Sequence, residues 1–250
     1  MSTADNVGVM AAPGSIWHEE PWPPGWTVRR LPVTGSTNAD LLAAVESGEA
    51  DDRTVLVADH QVAGRGRLDR RWEAPAGTNL LVSLLLLDVP RPPAALTQRV
   101  GIAALDAARA VVPGVNVMLK WPNDLLLDGR KVAGILAQRS ATTGAVVVGL
   151  GFNIGWAPDG AARLGDGIGV ARVLRETLVA FDALGVDVGE RYRRELATLG
   201  ADVQVELPDG TTLEGRATDV DDDGRLIVAA HDGTVHHLDV GDVVHARHAR

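Results

Sequence analysis

The sequence predicts an α+β fold with a small all-β unit at its C-terminal end. Three observations lead there. Helical and strand patterns do not alternate strictly, which argues against a doubly wound parallel sheet. Short strand patterns crowd together between residues 115 and 151, and turn pairs such as Asp128-Gly129 and Thr143-Gly144 make neighbours antiparallel. From Ala201 the texture changes to short strands separated by Pro208-Asp209-Gly210, residues 221–224 and Asp232-Gly233, the spacing of a small β-barrel.

Each element has its own justification. Residues 1–26 mix Ala, Gly and Pro with Trp17, Trp22 and Trp26, and Pro21-Trp22-Pro23-Pro24-Gly25 excludes regular helix or central strand. A flexible tail over 1–27 is expected, ordered near Trp26, its Trp residues packing on the domain or meeting a partner. Residues 27–33 read as a strand. Ser36 then opens a helix spaced on Leu41, Leu42 and Val45 and stopped at Gly48. Residues 54–58 are a β-branched, apolar strand, and 60–71 a Gly- and Arg-rich loop. Residues 79–87 are apolar on both faces, as in a buried strand. Residues 94–112 have helical spacing and stop at Pro113-Gly114. Strands are expected at 115–119, 125–127, 132–138 and 145–151, and helices at 170–184 and 188–199. The resulting organisation is a tail (1–27), a main domain (28–200) and a C-terminal domain (201–250).

Composition narrows the function. The formal charge of −9 gives no general attraction to nucleic acid or anionic membrane. The absence of Cys removes disulfides, thiolate zinc sites and a Cys nucleophile. The apolar run 80–87 is broken by Ser83 and is far short of the about 20 residues that span a bilayer. No basic start leads into an apolar stretch, so a cytoplasmic protein is expected. Of the 24 basic residues only Lys120 and Lys131 are lysines, the rest being Arg.

Four constellations carry chemistry. Ala63-Gly64-Arg65-Gly66-Arg67-Leu68-Asp69-Arg70-Arg71-Trp72 is locally cationic in an acidic chain. Its glycines permit close backbone approach, its guanidiniums suit carboxylate and phosphate, and Trp72 can stack on a planar base. An exposed basic loop or an arginine-glycine nucleic-acid segment is the other reading. Lys120-Trp121-Pro122-Asn123-Asp124 and Lys131-Val132-Ala133-Gly134 flank one hairpin and hold both lysines, mobile point charges suited to a reaction that moves negative charge. Asp124 is a candidate for phosphate-bound Mg²⁺, and Asn123 for a phosphate or ribose. Gly149-Leu150-Gly151-Phe152-Asn153 and Ser36-Thr37-Asn38 are weak by themselves, a bulge and a helix cap being the plain readings. The acidic run 219–224 starts like a calcium loop, but Ala230 stands where the closing Glu belongs, and a hairpin turn is expected. His231, His236, His237, His245 and His248 lack a zinc-ligand spacing.

Taken in order, STN, HQ with AGRGR…RRW, KWPND…KVAGIL and GLGFNI resemble biotin protein ligase from about Val28 onward. The stretches Gly215-Arg216-Ala217, Asp223-Gly224-Arg225-Leu226 and Val240-Gly241-Asp242 resemble the family's SH3-like C-terminal domain. The resemblance implies a mixed-sheet biotin/lipoate ligase-like catalytic domain with a small barrel. It implies activation of biotin by Mg²⁺-ATP to biotinyl-5′-AMP, then transfer to a lysine of a biotin carboxyl carrier protein. By motif, Ser36, Thr37, Asn38 and Gln61 contact the ureido ring, and Arg65, Gly66 and Arg67 form a loop over biotin and phosphate. Lys131 sits between carboxylate and α-phosphate, catalytic with Arg67, and Gly134 permits close approach. Arg70, Trp72, Lys120, Asn123, Asp124 and Asn153 serve the nucleotide, with Asp124 also the metal candidate.

Two departures from the family pattern stand out. Asp69 occupies a position where the family loop usually has Gly, and it lowers the loop's positive charge. Only about 27 residues precede the ligase-like region, too few for a winged helix, so a ligase without repressor function is expected: no DNA, no membrane, a monomer or weak homodimer. The rival readings are a lipoate or octanoate ligase or transferase and a non-catalytic biotin-binding protein.

Overall fold

Residues 21–245, apart from 69, 208 and 240, are described by a computed structural model. The chain enters along β1 (Thr27–Thr34), crosses over through α1 (Thr37–Glu46) and returns as β2 (Thr54–Gln61), which pairs parallel with β1. A parallel pair needs such a crossover, and α1 supplies it. Next come β3 (Leu80–Leu86), α2 (Ala94–Val111), β4 (Val117–Lys120), β5 (Asp124–Leu127), β6 (Arg130–Arg139) and β7 (Val146–Phe152). The seven strands form one mixed sheet in the order β1-β2-β3-β7-β6-β5-β4, antiparallel except at β1–β2. The β5–β6 turn places Asp128 and Gly129 at φ 49° and 77°, the left-handed pair that a tight hairpin requires.

The sheet is covered unequally. On one face α2 and α3 (Val170–Ala183) pack on Val82, Leu84, Val148 and Leu150. On the other, Leu41 and Val45 of α1 pack on Leu56, Leu85 and Val147. All seven residues of β3 are buried, as its two-faced apolar pattern predicts. Beyond α1, the second face carries Gly134, Gly149 and Gly151, in the same alternation as Val147. Glycine at these positions leaves a hollow where side chains would otherwise fill the face.

After α4 (Gly189–Glu195), strands β8 (Asp202–Glu206), β9 (Thr212–Val220), β10 (Leu226–Ala230), β11 (Val235–Leu238) and β12 (Asp242–His245) form an antiparallel sheet in the order β11-β10-β9-β8-β12. Its inward residues Val203, Val205, Ala217, Val228 and Val243 belong to the same core cluster as Trp121 and Leu119. The Trp121 indole N–H donates to the Gly224 carbonyl at 3.0 Å, fastening the β4–β5 turn to this sheet.

Several expectations need correction. β2 runs to Gln61, because its parallel register with β1 continues to Thr34↔Gln61, so the loop starts later than residue 60. β4 begins at Val117 and α4 ends at Glu195, where the Ala197 N–H turns to the Leu119 carbonyl at 2.8 Å. Trp26 packs on the domain, in line with the expected ordering of the chain near it. It is buried edge-on to Phe181, under the Arg53 guanidinium, with its indole N–H 2.9 Å from Asp182. Trp17 lies outside the described residues.

The calcium-like run is the β9–β10 turn. Asp221 accepts from the Arg225 N–H and pairs with the Arg225 guanidinium, both at 2.9 Å, with His237 Nδ1 at 3.0 Å. Partial burial pushes the Asp221 carboxyl upward, but hydrogen bonds from His237 and Arg225 outweigh it and bring it down to about 2. The unfolded value is about 3.9. The stabilisation is therefore present above pH 4 and lost as pH falls toward 2. Asp221→Asn is expected to lower the melting temperature at pH 7, with the gap to the native chain closing in acid. A gap that persists at pH 2 would refute this assignment.

Candidate functional site

A cavity of about 580 Å³ occupies the hollow beside α1. Of the residues singled out above, Ser36, Thr37, Asn38, Gln61, Arg65, Gly66, Arg67, Arg70, Trp72, Asn123, Asp124, Lys131, Gly134 and Asn153 line it. Lys120 does not: it ends β4 opposite Asp124 and shares that residue's face of the sheet, yet it stands outside the cavity lining.

One end is a recess of ordered hydrogen bonds. Ser36 is extended, at φ −159°, and makes no side-chain cap, so the STN segment faces the cavity instead of serving α1 alone. The Gln61 Oε1 accepts from the Thr37 N–H at 2.8 Å and from its hydroxyl at 3.1 Å. The Asn38 amide donates to the Leu136 carbonyl at 3.1 Å and to Gln138 Oε1 at 2.8 Å. Ser83, fully buried in β3, donates to Asn38 Oδ1 at 2.5 Å and lies 2.7 Å from the Thr37 hydroxyl. Sequence reasoning missed Ser83 as a site residue; its signal is that it is the one polar residue in an apolar strand.

The floor is Trp72 laid across glycines. A Cβ at Gly151 would come within 2.3 Å of the Trp72 ring, and one at Gly134 within 3.1 Å. The Trp72 indole nitrogen is buried without a partner among the described residues, a donor free for a ligand acceptor. The Arg-rich segment folds back on itself: the Gly66 N–H meets the Arg70 carbonyl at 2.7 Å, and the Trp72 N–H the Gly64 carbonyl at 3.0 Å. Asp69 lies outside the described residues.

The other end gathers charge. Lys131 Nζ lies 2.7 Å from Asp124 Oδ1 and 5.5 Å from the Trp72 ring centre. A bulge in the β5–β6 pairing, where Leu125 faces Ala133 and Leu126 faces Lys131, turns Lys131 toward the cavity. Arg67 donates to Asn123 Oδ1 at 3.1 Å, and Asn123 is itself held by the Ile135 carbonyl at 2.7 Å. Burial draws the Arg67 guanidinium below its ordinary range, opposed by the charges of Asp124 and Asp242. Arg70 forms an ion pair with Asp242 of the C-terminal sheet, which holds its proton more tightly.

Asn153 serves mainly as a brace. Its amide donates to the Ala162 carbonyl at 3.1 Å, and its oxygen receives Asn79 Nδ2 at 3.3 Å. Asn79, also missed, accepts the Ile154 and Trp156 N–H groups at 2.9 and 3.2 Å, positioning the segment that brings Pro158, Asp159 and Ala161 to the cavity wall. Among the described residues no three His, Asp or Glu side chains converge as a metal cage. Asp124 offers a carboxylate beside Lys131, which suits an ion ligated chiefly by phosphate and water. The arrangement can hold a flat polar head in the recess and bring a carboxylate and a phosphate together at the cations.

Comparison with known proteins shows what the chain as a whole is similar to. Residues 31–153 match the biotin/lipoate A/B protein ligase family, and residues 198–246 the biotin protein ligase C-terminal domain. The biotin–[acetyl-CoA-carboxylase] ligase of Mycobacterium tuberculosis is 40% identical over 247 residues, covering 89% of this chain and 91% of that protein. The bifunctional ligase/repressor BirA of Escherichia coli is 39% identical over 135 residues, covering 52% of this chain and 41% of that protein. Among solved structures, the biotin protein ligase from Aquifex aeolicus in complex with biotin and ATP superposes with a TM-score of 0.75 at 22% identity, covering 88% of this chain and 98% of that one.

Proposed function

The chain belongs to the biotin protein ligase family, and on that footing we propose that it activates biotin with ATP and transfers it to a carrier-protein lysine. The observation that carries the reading is the convergence of Lys131, Arg67 and Arg70 at one end of a cavity whose other end is the Ser36–Asn38 and Gln61 recess. A ureido head has two N–H donors and one carbonyl acceptor, and the recess offers hydroxyls and amides to meet them.

In the first step a biotin carboxylate oxygen attacks the α-phosphorus. A C–O–P anhydride forms, the bond between the α- and β-phosphoryl groups breaks, and pyrophosphate leaves with the electron pair. Two anions must meet for this. Lys131 and Arg67 are placed to hold both and to stabilise the charge that builds on the α-phosphoryl oxygens. Arg65 and Gly66 close over biotin, Gly134 permits its close approach, and Trp72 and Arg70 hold the nucleotide. Asn123 keeps Arg67 aimed, and Asn153 braces the wall. Asp124 fits Mg²⁺, since it lines the cavity as a carboxylate beside Lys131. Mg²⁺ carried in with ATP would supply charge neutralisation on the phosphates. In the second step the carrier's neutral amine attacks the biotinyl carbonyl, an amide forms, and AMP leaves.

No helix among the described residues is long and apolar enough to cross a membrane. The partner is a biotin carboxyl carrier protein of an acyl-CoA carboxylase. The purified chain, given biotin, Mg²⁺-ATP and a carrier domain, is expected to release pyrophosphate and label one carrier lysine, with lipoate a poor replacement. Release with lipoate but not biotin would shift the reading to the lipoate branch, and no transfer at all would end the ligase reading.

A further inference from the structure

The C-terminal sheet reaches the cavity through Gly241 and Asp242, where β12 begins. The Gly241 carbonyl accepts from Arg67 Nη1 at 3.4 Å, and the Asp242 carboxylate takes the Arg70 guanidinium as an ion pair. Lys131 has its own counterion, Asp124, at 2.7 Å. Of the three cations proposed to read phosphate, Lys131 and Arg70 are thus already occupied by carboxylates, while Arg67 is held by neutral acceptors. The two carboxylates differ in origin. Asp124 lies on β5 beside Lys131, whereas Asp242 comes from the other sheet, 172 residues from Arg70.

An anion that claims Arg70 must displace Asp242 and then tolerate the freed carboxylate nearby. The pair is partly exposed, 60% and 29% for the two side chains, so it is weak enough to yield. A polyphosphate, with several charged oxygens to share among Arg67, Arg70 and Lys131, can displace it; a smaller anion gains less in the exchange.

We propose that Asp242 is a specificity-determining counterion that occupies Arg70 until a nucleoside triphosphate takes its place. The assignment rests on the ligase reading for the identity of the anion. Asp242→Asn frees Arg70 and removes a negative charge from the phosphate side. By calorimetry on the full chain, it should bind ATP, and inorganic pyrophosphate by a larger factor, about three- to tenfold more tightly. Biotin affinity should stay within about twofold, and the KM for ATP should fall with the Kd.

Arg70→Gln should weaken ATP binding, and adding Asp242→Asn to it should restore no more than a small part, because the two residues act as a pair. Asp242→Glu keeps the charge and should behave as the native chain does, and Asp242→Ser is a second neutral variant should the first not fold. Weaker ATP binding in the neutral variants would make Asp242 a tether that builds the site, and unchanged binding would make the ion pair idle; either result overturns the proposal. Tightening of equal size in the Arg70→Gln background would also overturn it. A native chain that binds ATP but releases no biotin-dependent pyrophosphate would refute the ligase reading alone, since the binding comparison is independent of turnover.

Discussion

Lys131→Ala is expected to lower biotin-dependent pyrophosphate release by about 10²–10³-fold, the cost of removing one preorganised charge from a developing oxyanion. The loss has two sources. The ammonium that would bridge carboxylate and phosphate disappears, and Asp124, formerly 2.7 Å from it, is left as an uncompensated negative charge facing two anions. The second source is separable. Asp124→Asn placed in the Lys131→Ala background should recover part of the lost rate, whereas the same substitution in the native chain should recover nothing. Lys131→Arg should not rescue, because a planar fork cannot occupy the space of a compact ammonium packed between Trp72 and the Gly134 backbone. Biotin binding without ATP should weaken far less than the rate, since the recess that holds the ring is built by other residues. A Lys131→Ala chain within threefold of the native rate would remove Lys131 from the mechanism.

How much of this was legible in sequence depends on the range of the contact. The STN, GRGR and KWPND segments were readable because each is contiguous and its spacing carries its own chemistry. Lys120 was readable as a rarity and as part of KWPND, but only the folded sheet shows that it stays outside the cavity lining while its cross-strand neighbour Asp124 enters it. Ser83 looked like an interruption in an apolar run, because its meaning depends on Thr37 and Asn38, more than forty residues away in sequence. Asp242 was one acidic residue among eleven in the C-terminal fifth, with nothing local to mark it as the partner of Arg70. The length of β2 was hidden for a similar reason. His60 and Gln61 read as polar loop, but pairing with Val33 and Thr34 keeps them extended and delivers Gln61 to the recess. Local pattern specifies which segments exist; long-range pairing decides which of their side chains meet.

Gly149→Ala tests that conclusion at its narrowest point. Gly149 sits in β7 between Ser83 of β3 and Leu136 of β6, so its backbone is fixed by pairing on both sides. An added Cβ would lie 2.3 Å from Asn38 Oδ1. A free side chain could swing away, but Asn38 is buried and held by Ser83, Leu136 and Gln138 at 2.5, 3.1 and 2.8 Å. One methyl group therefore breaks the network that shapes the recess. The overpacking should cost about 1–3 kcal/mol in a denaturant titration. Biotin affinity should fall at least about tenfold, the scale of one or two lost hydrogen bonds, while the ATP affinity measured alone changes little. Removing the obstructing amide as well separates clash from glycine chemistry. In an Asn38→Ala background, Gly149→Ala should cost little further stability, because the two residues are in direct conflict and their effects cannot add. Gly144→Ala, at a turn with φ 76° and no crowding backbone, should lose stability by strain and leave biotin affinity alone. If Gly149→Ala bound biotin as the native chain does, the recess would not be where the ring is read, whatever happened to stability.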